Sequence, residues 1–239
     1  DVDSSDLFLG KDPFLVARGR NGHTPIEQAG ARTERHEPFL GVLRDLMAEF
    51  QSPIVPGLPR FTGGAVGYFA YDAAEWFEPA VKVHKPRADR DQAVFMVFDT
   101  ILAFDHAKHR ILAIANARVH PGEDLRTLYD FACAKIEFLE RELERTLSRP
   151  KRAAAPALEI RANQTREQFE EAVRKIQEDI AAGEIYQAVL SQRFETDTTA
   201  SPFDVYRALR HINPSPYMYF IRLGRDTIVG ASPEMLVRA

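Results

Sequence analysis

The chain has 239 residues, 45% of them hydrophobic and 28% charged, with a formal net charge of -4. That balance suits one large or two modest globular domains, excludes wholesale disorder, and leaves no basic excess to neutralise phosphates, so nucleic acid is not an expected partner. No apolar run approaches the roughly 18 residues needed to span a bilayer, the acidic opening Asp1-Val2-Asp3-Ser4-Ser5-Asp6 is unlike a signal peptide, and the single Cys133 excludes an internal disulfide.

A cytoplasmic protein with no membrane partner is the expectation. The seven histidines show no His-x-x-x-His spacing, so the sequence nominates no metal ligand among them.

The first stretch reads as strand-rich. Leu7 to Leu9 and Phe14 to Ala17 are short apolar runs separated by the turn signal Gly10-Lys11-Asp12-Pro13. Pro38 opens a helix to Phe50, whose Phe39, Leu43, Leu46 and Phe50 lie on one face. The proline-rich segment from Gln51 to Pro59 is a loop. Phe61 to Asp72 mixes aromatics with Gly63, Gly64 and Gly67 and reads as a buried strand that another backbone approaches closely.

Ala93 to Phe104 and Arg110 to Val119 form a hairpin across Asp105 to His109. Glu123 to Leu147 is a long helix with an apolar stripe that includes or flanks Cys133, read as a core thiol.

Ser148 to Pro156 is the linker, dividing a region 1–150 from a region 157–239. Thr165 and Gln168 make a capping box for a helix with Phe169, Val173, Ile176 and Ile180 on its apolar face and Gly183 as its stop. Tyr186 to Phe194 reads as a strand. Ser201-Pro202 opens a further helix carrying Phe203, Tyr206, Leu209 and Ile212. Tyr217 to Leu223 then pairs with Thr227 to Val229 across Gly224-Arg225-Asp226. The fold class is α+β, with mixed or antiparallel sheets packed by helices.

Three constellations can carry chemistry. Gln187 shares a strand face with Val189 and Ser191; it either orients a polar ligand or sits as an edge-strand amide in water, and an amide cannot abstract a proton. In Ser232-Pro233-Glu234, Pro233 fixes its own φ and pushes Ser232 extended, which aims Glu234 either as a general acid beside Met235 and Leu236 or as a turn carboxylate pairing with Arg238. Asn213-Pro214-Ser215-Pro216-Tyr217-Met218 is a preformed extended loop that either cradles a flat ligand or simply joins helix to strand. Gly63-Gly64-Ala65-Val66-Gly67 lacks the spacing of a phosphate loop and reads as crowded β-core.

Four segments taken in order resemble the anthranilate synthase component I branch of the chorismate-utilising enzymes: Arg60 to Tyr68, Ala182 to Phe194, Asn213 to Tyr219 and Gly230 to Arg238. The resemblance implies a lyase that removes the C4 hydroxyl of chorismate, adds ammonia at C2 and eliminates pyruvate to give anthranilate. It implies Glu234 as the general acid, and Gln187 at the position where hydrating relatives carry a lysine base. It implies a feedback site for L-tryptophan drawn from Asn213, Ser215, Pro216, Tyr217 and Met218, with further feedback-site elements in region 1–150, and the start of the chorismate-binding catalytic domain in 157–239.

Mg2+ is the implied cofactor, its ligands expected beyond Ala239, and a Leu-Leu-Glu-Ser motif is expected before Asp1. A glutamine amidotransferase subunit is the implied ammonia-supplying partner. The sandwich is expected to be incomplete here and the 239 residues alone to be inactive. Two other readings stay open: an aminodeoxychorismate synthase component I, and a non-catalytic tryptophan-binding module.

Overall fold

Asp12, at a positive φ of 55°, turns the chain between its first two apolar runs, and the turn sends them into different sheets. The computed structural model describes residues 6–20, 22–78, 80–81, 90–146 and 158–237. It divides into a first unit of Asp1–Leu147, Ile221–Ile228 and Pro233–Ala239 and a second of Ser148–Phe220 and Val229–Ser232. The proposed linker, Ser148 to Pro156, lies outside the described residues.

In the first unit β1 (Asp6–Gly10) is followed by β2 (Leu15–Gly19), β3 (Thr24–Gln28) and β4 (Ala31–Arg35), then helix α1 (Phe39–Glu49) and β5 (Gly64–Phe69). After a short helical turn and α2 (Ala74–Phe77) come β6 (Ala93–Phe98), β7 (Thr100–Asp105), β8 (Arg110–Ala115) and α3 (Leu125–Leu143). One sheet has the order β4-β3-β2-β6-β5 and the other β1-β7-β8, with antiparallel pairing throughout both.

The apolar run from Ala93 to Phe104 is therefore two strands rather than one arm of a hairpin. Asp99 breaks it: its carboxylate accepts from Thr100 Oγ1 at 2.7 Å and Lys135 Nζ at 2.8 Å, and its carbonyl accepts from the Asn116 backbone at 2.7 Å and side chain at 3.1 Å. The hairpin proper is β7 with β8, in the register Asp105↔Arg110.

β6 is apolar on both faces because both are covered, which is why it reads as a continuous run rather than an alternation. Ala93 and Val97 join Leu15, Ala17, Ile26, Phe39, Val42 and Leu46 in a core beneath α1, while Val94, Met96 and Phe98 pack with Ile101, Ala103 and Ile114 of the second sheet. Beside it, β5 is an edge strand, only half-buried, so the expected buried strand over Phe61 to Asp72 is shorter and more marginal than its composition suggests. The close approach expected there does occur: a β-carbon on Gly67 would meet the Val94 carbonyl oxygen and lie 2.7 Å from the Phe95 Cα.

The hairpin β3–β4 was not anticipated. β4 is Ala-Arg-Thr-Glu-Arg, an outer strand whose charges suit an exposed sheet edge and hide its strand character. Its turn, Ala29-Gly30, has positive φ at both residues (49° and 79°), the type I′ pattern without its usual Asn-Gly sequence. Upstream, Gly22 takes φ +80° in the turn between β2 and β3.

In α3 the expected stripe is only partly covered. No residue of the helix is buried, Leu125 and Phe131 are 62% and 63% exposed, and Cys133 is half-buried rather than a core thiol.

The second unit holds β9 (Arg161–Ala162), α4 (Arg166–Ala181), β10 (Phe194–Glu195) and α5 (Pro202–Ile212). The Thr165–Gln168 capping box forms as expected, and Gly183 takes φ +82° just past α4. Ser201 caps α5 by accepting from the Phe203 N–H, with Pro202 in the first turn. Two last strands, β11 (Tyr217–Leu223) and β12 (Asp226–Ser232), form a hairpin whose tip belongs to the first unit and whose base belongs to the second. At the base the Tyr219 ring occupies the space above Gly230, leaving no room for a β-carbon there. No described helix is long and apolar enough to cross a membrane.

Candidate active site

Gln187 lies in the second unit, exposed, on a segment that is not a strand: Tyr186 to Arg193 carries no ladder. A strand needs a pairing backbone. Among the described residues β9 supplies one only at Phe194↔Ala162 and Glu195↔Arg161. The face-sharing of Gln187 with Val189 and Ser191, which assumed strand geometry, therefore does not hold; Tyr186 and Val189 are 93% and 88% exposed.

Glu234 falls in the first unit, two residues past the end of β12 and directly after Pro233, and it is exposed. The apolar neighbours expected around it do not enclose it, since Met235 is 42% and Leu236 98% exposed.

The loop from Asn213 to Met218 links α5 to β11. Asn213 ends the helix, its N–H donating to the Leu209 carbonyl at 2.8 Å; Ser215 is half-buried and Pro216 exposed. Strand alternation places Tyr217 and Tyr219 on one face and Met218 and Phe220 on the other. Phe220 packs edge-on against Phe203 at 5.5 Å and against Tyr206 at 5.8 Å, so the Met218 face is the helix-covered one. Tyr217 and Met218 thus cannot offer their side chains to the same side of a ligand, although the backbone between them is available to either.

Two cavities of the first unit were not anticipated. One, of about 480 Å³, is lined by Arg18, Arg20, Arg90, Asp91, Tyr68 and Asp226 among others. Its charges are mutually held: Arg18 Nη1 and Arg20 Nε donate to the Asp91 carboxylate at 3.0 and 2.9 Å, and Tyr68 donates to the Asp91 carbonyl at 3.1 Å. Burial, helped by the charges of Asp91 and Asp226, raises the Tyr68 phenol above its ordinary value, so it stays a neutral donor.

The other cavity, of about 450 Å³, is floored by Gly63 and Gly64 and flanked by Arg118, whose guanidinium lies 5.0 Å from the Phe14 ring and 5.1 Å from that of Phe50. Arg118 and Asp91 sit far in sequence from their partners, and no local pattern flags them. Neither cavity is lined by Gln187, Glu234 or residues 213–218.

Among the described residues, the one group of three whose ligand atoms converge is His23, Glu34 and His36. Two imidazole nitrogens are poor company for Mg2+, which takes oxygen ligands. The described residues therefore do not fit that ion.

The chorismate binding enzyme family matches residues 10–239. The chain belongs to that family. Other members show where within it the chain falls. It is 38% identical to the anthranilate synthase component 1 of Acetivibrio thermocellus over 97% of this chain and 48% of the relative. It is 40% identical to that of Pseudomonas aeruginosa over the same shares, and 41% identical to that of Streptomyces coelicolor over 91% of this chain and 43% of the relative.

The crystal structure of anthranilate synthase component I from Streptococcus pneumoniae TIGR4 superposes with a TM-score of 0.71 at 29% identity, over 96% of this chain and 50% of that one. The α+β, antiparallel-sheet architecture of this family member is thus a known arrangement. The chain spans about half the length of the relatives it matches.

Proposed function

We propose that this member of the chorismate binding enzyme family serves as anthranilate synthase component I in tryptophan biosynthesis. It converts chorismate and ammonia to anthranilate, pyruvate and water. The observation that carries the reading is the near-full-length similarity of the chain to anthranilate synthase component 1 proteins from distant bacteria.

Glu234 is assigned the general acid: its carboxyl protonates the C4 hydroxyl, which leaves as water. Neutral ammonia attacks C2 with its own lone pair and so needs no base, and loss of the C2 proton with departure of the enolpyruvyl group as pyruvate makes the ring aromatic. Gln187 suits that chemistry, because its amide can hold a polar group but cannot deprotonate water. L-Tryptophan is the proposed inhibitor, bound by Asn213, Ser215, Pro216, Tyr217 and Met218. Given the opposed faces of the last two, the Tyr217 side chain and the loop backbone are the natural contacts, with Met218 contributing through its backbone.

Ammonia is drawn from glutamine by a partner amidotransferase subunit, in the cytoplasm. Mg2+ is the proposed cofactor. Bound, it would offset the negative charge of the substrate's carboxylates. Because the relatives are about twice as long, the 239 residues alone are proposed not to turn chorismate over.

Gln187→Lys in the enzyme at its relatives' full length tests the assignment. It should lower the rate of amination at least about tenfold, a single lost transition-state contact. An unchanged rate of anthranilate formation would remove Gln187 from the reaction.

A further inference from the structure

The β3–β4 hairpin builds a side-chain cluster that neither the family nor the reaction above requires. Its register is Thr24↔Arg35, Pro25↔Glu34 and Ile26↔Thr33. Thr24 and Ile26 are buried, so their strand neighbours His23 and Pro25 turn to the outer face. On β4, Glu34 and the residue two further on, His36, turn to that same face. Continued by one pair, the register sets His36 opposite His23. The backbone alone thus gathers two imidazoles and a carboxylate on one exposed patch.

The side chains use that placement. His23 Nδ1 lies 2.9 Å from His36 Nδ1 and 3.3 Å from Glu34 Oε1, and the three residues each offer one ligand atom within 4.8 Å of the other two. The two rings stand edge to face at 4.9 Å. Two ring nitrogens at 2.9 Å cannot both carry a proton, so at least one of them presents a lone pair to the other, the form in which an imidazole ligates a metal. Zinc bonds of about 2.0–2.2 Å at tetrahedral angles put neighbouring ligand atoms roughly 3.3–3.5 Å apart. The 2.9 and 3.3 Å spacings lie close to that range.

We propose that His23, Glu34 and His36 form a binding site for a divalent transition-metal ion of the zinc class. Two imidazole nitrogens and one carboxylate oxygen select Zn2+, and likewise Cu2+, Ni2+ or Co2+, over the oxygen-seeking Mg2+ and Ca2+. The site is distinct from the proposed Mg2+ requirement and independent of the reaction. Exposure leaves the fourth position to water. The bound ion ties the start of β3 to the end of β4 and so stiffens the sheet's outer edge.

Isothermal titration of the tag-free chain with ZnCl2 tests this, supported by imidazole NMR of the unmutated protein. Binding in the micromolar range is expected, persisting in excess Mg2+, with His23 and His36 the first ring resonances to shift. Since loss of even an outer partner costs about 10–100-fold in metal affinity, His36→Ala and His23→Ala should each weaken binding at least tenfold. Far-UV circular dichroism checks that the variants fold. Failure of the unmutated chain to bind Zn2+, first shifts at His106, His109, His120 or His211, or an unchanged isotherm in a folded His36→Ala variant would each overturn the proposal.

Discussion

At Gly67 the neighbouring strand comes too close for any side chain: a β-carbon would meet the Val94 carbonyl oxygen, part of the backbone and unable to swing away. Gly67→Ala should therefore destabilise the protein by roughly 1–3 kcal/mol, in the manner of an overpacked core, with the urea midpoint as the measurement. This residue was legible, because a glycine set among aromatics in a strand marks a spot where a second backbone comes close.

Asp105 is a second position where local contacts decide the outcome. The Lys108 backbone N–H donates to its carboxylate at 2.9 Å and Arg110 Nε at 3.0 Å, and these hold its pKa below the ordinary aspartate value. With the folded value depressed, the stabilisation is present above the unfolded pKa and fades as pH falls toward the folded one. Asp105→Asn should flatten the acid side of the stability-against-pH curve while leaving its neutral side parallel to the parent, as followed by thermal melts across that range. At Glu234 the apolar surroundings expected from its neighbours in sequence are not formed by Met235 and Leu236. A proline fixes the local backbone, while enclosure of the carboxylate depends on residues remote in sequence.

Among the elements, the helices with local signals read correctly. Thr165 with Gln168, Ser201 with Pro202, and the apolar spacing after Pro38 each act within one or two turns and need nothing distant. Thr165→Ala should cost about 1 kcal/mol through loss of the cap on α4, and a double-mutant cycle with Gln168→Ala should show coupling because each side chain satisfies the other's backbone.

The strands read less well, for three separate reasons. The run from Ala93 to Phe104 hides its break at a single Asp99 whose role is to anchor β8 and α3. The β4 strand wears the charges of a sheet edge. Tyr186 to Phe194 has strand composition but pairs only at its end, at Phe194. Pairing is a property of two segments, and alternation within one segment cannot report it.

For the whole molecule, family membership was readable because it rests on four ordered motifs, each fixed by its own local residues. The cavities beside Asp91 and Arg118 were not, since their walls come from strands and loops tens of residues apart. The family places the chain among chorismate binding enzymes, and the relatives it resembles are anthranilate synthase component 1 proteins.

Product analysis separates anthranilate formation from the other outcomes open to a chorismate binding enzyme. The enzyme at its relatives' full length is supplied with chorismate, an ammonium salt and Mg2+, and its products are separated and followed by anthranilate fluorescence. Anthranilate and pyruvate are expected in equal amounts, both suppressed by L-tryptophan. Accumulation of an aminated chorismate without release of pyruvate, or of a hydroxylated one, would contradict the proposed function.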